Sequence, residues 1–199
     1  MRLPTSKLEA LEGLISPATG RRLAQLAADV PADRAIVEVG AYKGKSTCYL
    51  AAGARAGAGA KVFTVDAWDL EGNIGGRFGF DQPSVREQFD AQVASVGLAD
   101  RIVPIRAFSR DAAAAWDGPP IGMLFIDGHH LLDSVLEDFD VWAIHLADEA
   151  TVVFDDYQTE RNPGVQQAVD ELAARGLIRN LDVSTPPLAV SVWRAGGGS

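Results

Sequence analysis

Two short apolar runs in the middle of the chain, each followed by aspartate, form its most informative pattern. Residues 123–126 lead into Asp127, and residues 151–154 lead into the pair Asp155 and Asp156. Short continuous apolar runs rich in branched side chains are typical of strands buried on both faces of a sheet. Between the two runs, apolar residues recur at spacings of three and four, which predicts a helix packed on the sheet. The apolar positions of that helix are Leu132, Val135, Leu136, Phe139, Trp142 and Leu146.

These elements predict a strand, helix, strand crossover whose two strands run parallel. The three aspartates then emerge at the same edge of the sheet, where open α/β sheets bind their ligands. Successive residues of a strand point to opposite faces, so Asp155 and Asp156 reach one site only if the chain turns after residue 154. The pattern therefore predicts a carboxylate-rich site at the ends of two strands.

Similar units on both sides of this crossover predict the fold of the whole chain. We expect an α/β fold: a Rossmann-like, seven-stranded, mostly parallel sheet with helices on both faces and a C-terminal antiparallel hairpin. Residues 1–195 would form one domain, with residues 1–30 as a helical cover and residues 196–199 as a flexible tail. The other predicted strands are 35–39, 61–65, 101–105, 178–183 and 188–193, and the other predicted helices are 6–14, 17–28, 84–96 and 163–176, with further helices after Gly44 and Ser109.

A glycine-containing turn follows the first predicted strand and precedes a helix. Glycines at 40 and 44 let the backbone approach a ligand closely, and the helix N-terminus offers N–H groups to a carboxylate or phosphate. The spacing is neither that of a phosphate-binding loop nor the G-x-G-x-x-G of a dinucleotide site. Glu38, at the end of a buried strand, needs a hydroxyl or ammonium partner, and Asp66, after the second strand, suits a ribose diol. Together these features favour a ligand that contains adenosine, although Asp66 alone is as well explained by a structural cap for the next turn.

Three carboxylates at one crevice repel each other unless a cation neutralises them. Oxygen-only ligation suits Mg, Ca or Mn rather than zinc, so Asp127, Asp155 and Asp156 are candidate metal ligands. His130 lies three residues after Asp127, and histidine is the residue type best suited to exchange a proton at physiological pH, so it is a candidate base. The alternative for each aspartate alone is a helix cap or a solvent-facing side chain, and a lone histidine is more often a surface group, as its neighbour His129 illustrates.

Composition narrows the classes of partner. The chain has 199 residues, 47% of them hydrophobic, and a formal charge of −9, which argues against binding to nucleic acid or to an anionic membrane. Cys48 is the only cysteine, so an intramolecular disulfide and a cysteine-based zinc site are excluded. No apolar run reaches the length of about 20 residues that a membrane span needs. We expect a soluble, cytoplasmic protein with a small-molecule partner. The sequence does not decide between a monomer and a homo-oligomer.

Two further stretches carry open alternatives. Residues 71–83 contain four glycines, at positions 72, 75, 76 and 79, together with one arginine and two phenylalanines. This composition predicts a mobile lid over the site, with a plain surface loop as the alternative. Ser109 either caps the helix that follows it or bonds the base of a ligand.

The motifs together resemble a known family. The run E-x-G-A-Y-x-G-x-S from Glu38 to Ser46, Asp66 after the second strand, D-G-x-H at 127–130 and the pair at 155–156 are similar to class I S-adenosylmethionine-dependent methyltransferases. The likeness extends over about residues 33–193. It is to the metal-dependent O-methyltransferases in particular, both the catechol type and the bacterial macrolide-sugar and cephalosporin-hydroxylase-like group.

The resemblance implies roles for individual residues. The methionine end of S-adenosylmethionine would lie at Gly40 and Ser46, its ribose at Asp66, and its adenine near Ser109 and His129, with Asp127 close to the cofactor. Glu38 would hold the glycine turn and the cofactor's amino group. Asp127, Asp155 and Asp156 would bind Mg, and His130 would be the catalytic base. Leu132 stands where the relatives usually carry a tyrosine.

The function implied by the resemblance is Mg-dependent transfer of a methyl group to a hydroxyl. The acceptor would be a vicinal diol of a sugar, a polyketide glycoside or a catechol-like natural product. One alternative is an oxygenation-associated protein of the cephalosporin-hydroxylase type, marked by iron dependence and oxygen consumption. A second alternative is a non-catalytic cofactor-binding subunit.

Overall fold

The computed structural model describes residues 5–68, 70 and 84–193 of the chain. The predicted lid at residues 71–83 and the predicted tail at residues 196–199 lie outside the described residues.

Seven strands form one sheet, as predicted. The strands are β1 (Ala35–Val39), β2 (Lys61–Asp66), β3 (Ile102–Arg106), β4 (Ile121–Ile126), β5 (Leu146–Phe154), β6 (Ile178–Asp182) and β7 (Ala189–Trp193). They pair in the order β3-β2-β1-β4-β5-β7-β6. The strands β1 to β5 run parallel to one another, whereas β7 pairs antiparallel with both β5 and β6. The predicted α/β fold with a closing antiparallel hairpin is therefore confirmed.

Helices cover both faces of the sheet, and each face has its own apolar core. Leu23 and Phe89 belong to the core under the first four helices, whereas Phe139 and Val169 belong to the core under the last three. No helix in the described part of the chain is long and apolar enough to cross a bilayer. The helices are α1 (Thr5–Glu9), α2 (Pro17–Ala28), α3 (Lys45–Ala56), α4 (Val85–Val96), α5 (Ser109–Ala114), α6 (Leu132–Ala143) and α7 (Pro163–Ala174).

Two element boundaries differ from the predicted ones for physical reasons. The first helix ends at Glu9 rather than at residue 14, and the chain then crosses above α3, where Gly13 lies directly against Lys45. Leu146 is not part of the predicted helix, because α6 has its C-cap at Ile144 and Leu146 begins β5 by pairing with Ile121. The apolar spacing of the helix thus runs on into the start of the next strand.

Backbone hydrogen bonds align the ends of four neighbouring strands, β2, β1, β4 and β5. The N–H of Gly40 donates to Val65 O, that of Asp127 donates to Val39 O, and that of Asp155 donates to Ile126 O, at 2.8 to 3.1 Å. The glycine turn and two of the predicted ligands therefore leave the sheet side by side. We call this the carboxyl edge. Gly40 has φ +88°, and a Cβ there would lie 2.1 Å from Asp127 O, so only glycine lets the two strand ends approach this closely.

Candidate active site

A cavity of about 810 Å³ lies at the carboxyl edge of the sheet. Its wall combines the turn at residues 40–44, which we call the glycine loop, with the ends of β2, β4 and β5 and with the start of α5. The structure brings together all the predicted site residues except Glu38. Those that line the cavity are Gly40, Ser46, Asp66, Ser109, Asp127, His129, His130, Asp155 and Asp156.

Asp66 fastens the glycine loop to the end of β2. Its Oδ2 accepts from the N–H groups of Ala41 and Tyr42, both at 2.9 Å, and its Oδ1 accepts from Trp68 N at 2.6 Å. A carboxylate that accepts several backbone N–H groups is strongly oriented. Asp66 therefore shapes the loop as well as lining the cavity, and its predicted contact with a ribose stays a prediction.

Glu38 lies behind the cavity wall rather than in it. It is fully buried in β1, and its Oε2 accepts from Thr47 of α3 at 2.5 Å and from Thr64 of β2 at 2.6 Å. Burial raises the pKa of Glu38 to about 7, against the opposing effect of these hydroxyls. The predicted hydroxyl partners are confirmed, and they tie β1 to α3 and β2. Glu38 is not among the residues that line the cavity, and its Oε1 has no hydrogen-bond partner among the described residues. Its predicted contact with a cofactor's amino group stays a prediction.

Ser109 does not cap α5, and the prediction of a cap is wrong. The N-cap is Phe108, and no side chain bonds the helix start. The Ser109 hydroxyl instead accepts from Trp142 Nε1 at 3.0 Å, because α6 packs beside α5. Asp138 of α6 lies next to it, and burial raises the pKa of Asp138 although Ser109 hydrogen-bonds to it. His129, predicted to adjoin the same ligand, is exposed at the rim.

Asp127, Asp155 and Asp156, which we call the acid cluster, meet at the other end of the cavity. Asp155 is 8% exposed, and its Oδ1 has no hydrogen-bond partner among the described residues. Burial, followed by the charges of Asp127 and Asp156, raises the pKa of Asp155 to about 8. Burial and the charges of Glu38 and Asp156 hold the pKa of Asp127 well above its usual range. Asp127 and Asp155 therefore resist ionisation in the absence of a positive charge.

His130 lies between two members of the acid cluster. Its Nε2 is 3.5 Å from Asp127 Oδ1, and its Nδ1 is 3.6 Å from Asp156 Oδ2. Both distances exceed an ordinary hydrogen bond, so the contacts are electrostatic. The predicted base is thus placed beside the predicted ligands, with each ring nitrogen facing a carboxylate.

The chemistry of the acid cluster fits a hard divalent cation. Its donors are all carboxylate oxygens, and a cation would neutralise the repulsion and pair the orphaned Oδ1 of Asp155. The side chains are not gathered around one point, however. Across residues 5–68, 70 and 84–193, no group of three or more His, Cys, Asp or Glu side chains is arranged as a metal site. The type of donor therefore fits a divalent cation. The carboxylates of Asp127 and Asp156, however, are spaced so that His130 lies between them.

Several residues of the site carried no prediction. Asp138 did leave a signal, since it is a carboxylate on the buried face of a helix, between Val135 and Trp142. Leu14 and Lys45 also line the cavity. Leu14 does so because the segment after α1 crosses above the start of α3, which no local pattern indicates. Asn162 contacts Asp156 through a loop closure that is likewise invisible in the sequence.

The fold and the site together define a class of protein. A glycine loop between β1 and α3, an acid after β2 and a cavity at the carboxyl edge are the features of an α/β enzyme that binds a nucleoside-containing cofactor. Residues 37–157 match the family described as methyltransferase domain, and the chain belongs to that family. The expected relation to class I S-adenosylmethionine-dependent methyltransferases is thereby confirmed.

Solved structures share the fold across nearly the whole chain. The O-methyltransferase NovP is 18% identical, with a TM-score of 0.72 over 90% of this chain and 81% of its own. An O-methyltransferase from Bacillus cereus in complex with SAH is 18% identical, with a TM-score of 0.66 over 95% and 86%. TomG from Streptomyces achromogenes, an O-methyltransferase involved in tomaymycin synthesis and solved in complex with SAM, is 22% identical, with a TM-score of 0.65 over 91% and 82%.

Proposed function

We propose that this chain transfers the methyl group of S-adenosylmethionine to a hydroxyl oxygen of a small molecule, with Mg held at the acid cluster. The observation that carries the proposal is a single cavity with the glycine loop at one end and the acid cluster with His130 at the other. Family membership supports methyl transfer. The O-methyltransferases that share the fold, two of them bound to SAM or SAH, support oxygen as the acceptor atom.

The cofactor would lie along the glycine loop. The N-terminus of α3 would receive the methionine carboxylate, because the free N–H groups of the first helical turn and the helix dipole favour an anion there. Ser46 adds a hydroxyl at the same point, and Asp66, already oriented by the loop, would accept from the ribose. Ser109 and His129 would border the adenine at the far wall.

The acceptor would lie at the acid cluster. Asp127, Asp155 and Asp156 would hold the metal, which when bound lowers the pKa of a coordinated hydroxyl. His130 would take the hydroxyl proton on a ring nitrogen, with the neighbouring carboxylates stabilising the imidazolium. The sulfonium is already an activated leaving group, so the protein's main contribution is to align acceptor oxygen and methyl carbon and to exclude water.

We infer an acceptor with two adjacent hydroxyls, such as a sugar, a polyketide glycoside or a catechol-like compound from natural-product biosynthesis. The net charge of −9 and the acidic cavity disfavour a nucleic-acid or membrane partner. Cys48 is a buried free thiol, which is compatible with the reducing cytoplasm that we propose as the protein's location.

A methyl-transfer assay tests the proposal. The protein is incubated with S-adenosylmethionine, Mg and panels of catechols, glycosides and polyols, and S-adenosylhomocysteine is quantified by mass spectrometry. We expect one panel to support turnover, and we expect His130→Ala to lower it by about 10² to 10⁴. The matched control is His145→Gln, because His145 bonds Ala113 O outside the cavity wall. Full turnover by His130→Ala in the presence of a chelator would refute the mechanism, and oxygen consumption with iron would favour the oxygenase alternative.

A further inference from the structure

Asn162 is the N-cap residue of α7, yet its side chain does not cap that helix. Asparagine is among the favoured N-cap residues because its side-chain oxygen accepts from the free N–H groups of the first turn, a contact that stabilises a protein by about 1 kcal/mol. Here the side-chain amide is used elsewhere. Its Nδ2 donates to Oδ2 of Asp156 in the acid cluster. The start of α7 therefore lacks a side-chain cap, and the Asp156 carboxylate has a hydrogen-bond donor instead.

The loop between the two residues is closed by its own hydrogen bonds. Both the N–H and the hydroxyl of Thr159 donate to Asp156 O, at 3.4 and 2.9 Å, and Asn162 N donates to Thr159 O at 3.1 Å. Asp156 has φ +58°, a left-handed conformation that few residues other than glycine adopt. The loop thus holds the Asp156 backbone in an unfavourable conformation and returns the chain so that Asn162 reaches its side chain.

The start of α7 also contacts the turn that carries His130. A Cβ at Gly164 would lie 2.6 Å from His130 O and 2.5 Å from Leu132 N, so a side chain there would push the helix away from that turn. Because Gly164 is two residues from Asn162, the first turn of α7 supports both the histidine and the carboxylate. The contact of Asn162 with Asp156 and that of Gly164 with the His130 backbone together connect the end of β5 to the loop after β4.

We propose that Asn162 is a positioning residue, which fixes the Asp156 carboxylate beside His130 for metal binding. The oxygen that accepts from Asn162 is Oδ2, the same oxygen that faces His130 Nδ1 at 3.6 Å. A donor on that oxygen limits rotation of the carboxylate and leaves Oδ1 to a further ligand. The inference rests on the proposed function, since it takes Asp156 as a metal ligand. Removing a partner of a ligating carboxylate costs about 10- to 100-fold in metal affinity.

The test uses Asn162→Ser, because serine caps a helix but is too short to reach Asp156. Mg affinity is measured by titration calorimetry, S-adenosylhomocysteine affinity by the same method, and stability by urea denaturation. We expect Mg affinity to fall about 10- to 100-fold, with S-adenosylhomocysteine affinity unchanged and the free energy of unfolding equal to or above that of the parent. Asn162→Gln keeps an amide donor, so it should recover part of the Mg affinity that the serine variant loses.

Two further variants separate the outcomes. Ser16→Ala removes a true N-cap, since Ser16 Oγ accepts from Thr19 N in α2, and should lower stability by about 1 kcal/mol without changing Mg affinity. Asp156→Ala should abolish Mg binding. If Asn162→Ser binds Mg like the parent while Asp156→Ala does not, the positioning role is wrong and the proposed metal site stands. If Asp156→Ala itself binds Mg like the parent, both the metal site and the positioning role are wrong.

Discussion

The acids at the two halves of the carboxyl edge differ in what surrounds them. After β1 and β2, Glu38 and Asp66 accept hydrogen bonds from hydroxyls and backbone N–H groups of the fold itself. After β4 and β5, Asp127 and Asp155 face each other, and one oxygen of Asp155 has no described partner. Each half has one buried acid, Glu38 or Asp155, and one half-buried acid, Asp66 or Asp127, so burial alone does not distinguish the halves. The difference is whether the protein supplies the donors.

This contrast separates acids that build the site from acids that await a ligand. A buried carboxylate without donors is unfavourable unless something outside the chain compensates. Both oxygens of Asp66 and one oxygen of Glu38 accept hydrogen bonds from groups of the fold, whereas Glu38 Oε1 and Asp155 Oδ1 have no hydrogen-bond partner among the described residues. Asp66 should therefore stabilise the fold, whereas Asp155 should not. These two acids should respond to substitution in opposite ways.

The largest effect is expected at Asp155. Asp155→Asn should lower turnover at least about a hundredfold, since losing a ligand costs more than losing its partner. The free energy of unfolding should not fall, because the variant removes a buried carboxylate with an unpaired oxygen. Initial rates and urea denaturation measure the two quantities. Asp148→Asn, an exposed position in the same strand, is the control; a destabilised but active Asp155→Asn would contradict the contrast.

The second prediction concerns Glu38 and the pH dependence of the free energy of unfolding. Its pKa is about 7 in the fold against 4.5 for the free side chain, so between these values the folded protein holds a proton that the unfolded chain has released. The stability contributed by this proton is full below about pH 4.5 and is lost as pH rises through about 7. Glu38→Gln mimics the protonated form and should remove this loss. Relative to the variant, the parent should weaken by about 3 kcal/mol between pH 4.5 and pH 8.

The measurement is urea denaturation of both proteins across that pH range. Contributions from all other groups are common to the two proteins and cancel in the difference. A difference in the free energy of unfolding that stays constant with pH would show that Glu38 is ionised in the folded protein throughout.

A smaller effect is expected at Asp66. Asp66→Ala leaves the N–H groups of Ala41, Tyr42 and Trp68 without their acceptor, so the free energy of unfolding should fall by about 2 kcal/mol. Affinity for S-adenosylhomocysteine should fall with it, because the glycine loop loses its anchor. Asp66→Asn keeps one acceptor oxygen, so its stability and its affinity should lie between those of the parent and those of the alanine variant. Calorimetric titration and denaturation give both values, and unchanged stability in the alanine variant would place the loop's support elsewhere.

The strands and the carboxyl-edge acids were predictable because they are local patterns. A short apolar run that ends in aspartate indicates both a buried strand and the point where it leaves the sheet, and the structure confirms this for β4 and β5. Boundaries were less predictable where two patterns overlap. Leu146 continues the helical spacing of α6, yet its pairing with Ile121 makes it a strand residue.

The hydrogen-bond partners of a side chain could be predicted where burial required one particular kind of partner. Glu38 required hydroxyl or ammonium donors, and Thr47 and Thr64 supply hydroxyls. Of the two roles considered for Ser109, the helix cap is wrong, because the hydroxyl accepts instead from Trp142 of another helix. Its bond to the base of a ligand stays a prediction.

The sequence alone determined the order of strands and helices, the glycine loop and the residues that carry the chemistry, since periodicity, backbone freedom and side-chain type are properties of short segments. The tertiary structure decided which acids receive hydrogen-bond donors from other segments. Glu38 and Asp155 are both carboxylates at buried strand ends, and only the packing of α3 and β2 gives the first its donors. Asn162 would be a helix cap in isolation and becomes a partner of Asp156 only because the loop closes. Hydrogen-bond satisfaction depends on distances between segments, and those distances are set by the sheet order and the packing of helices upon it.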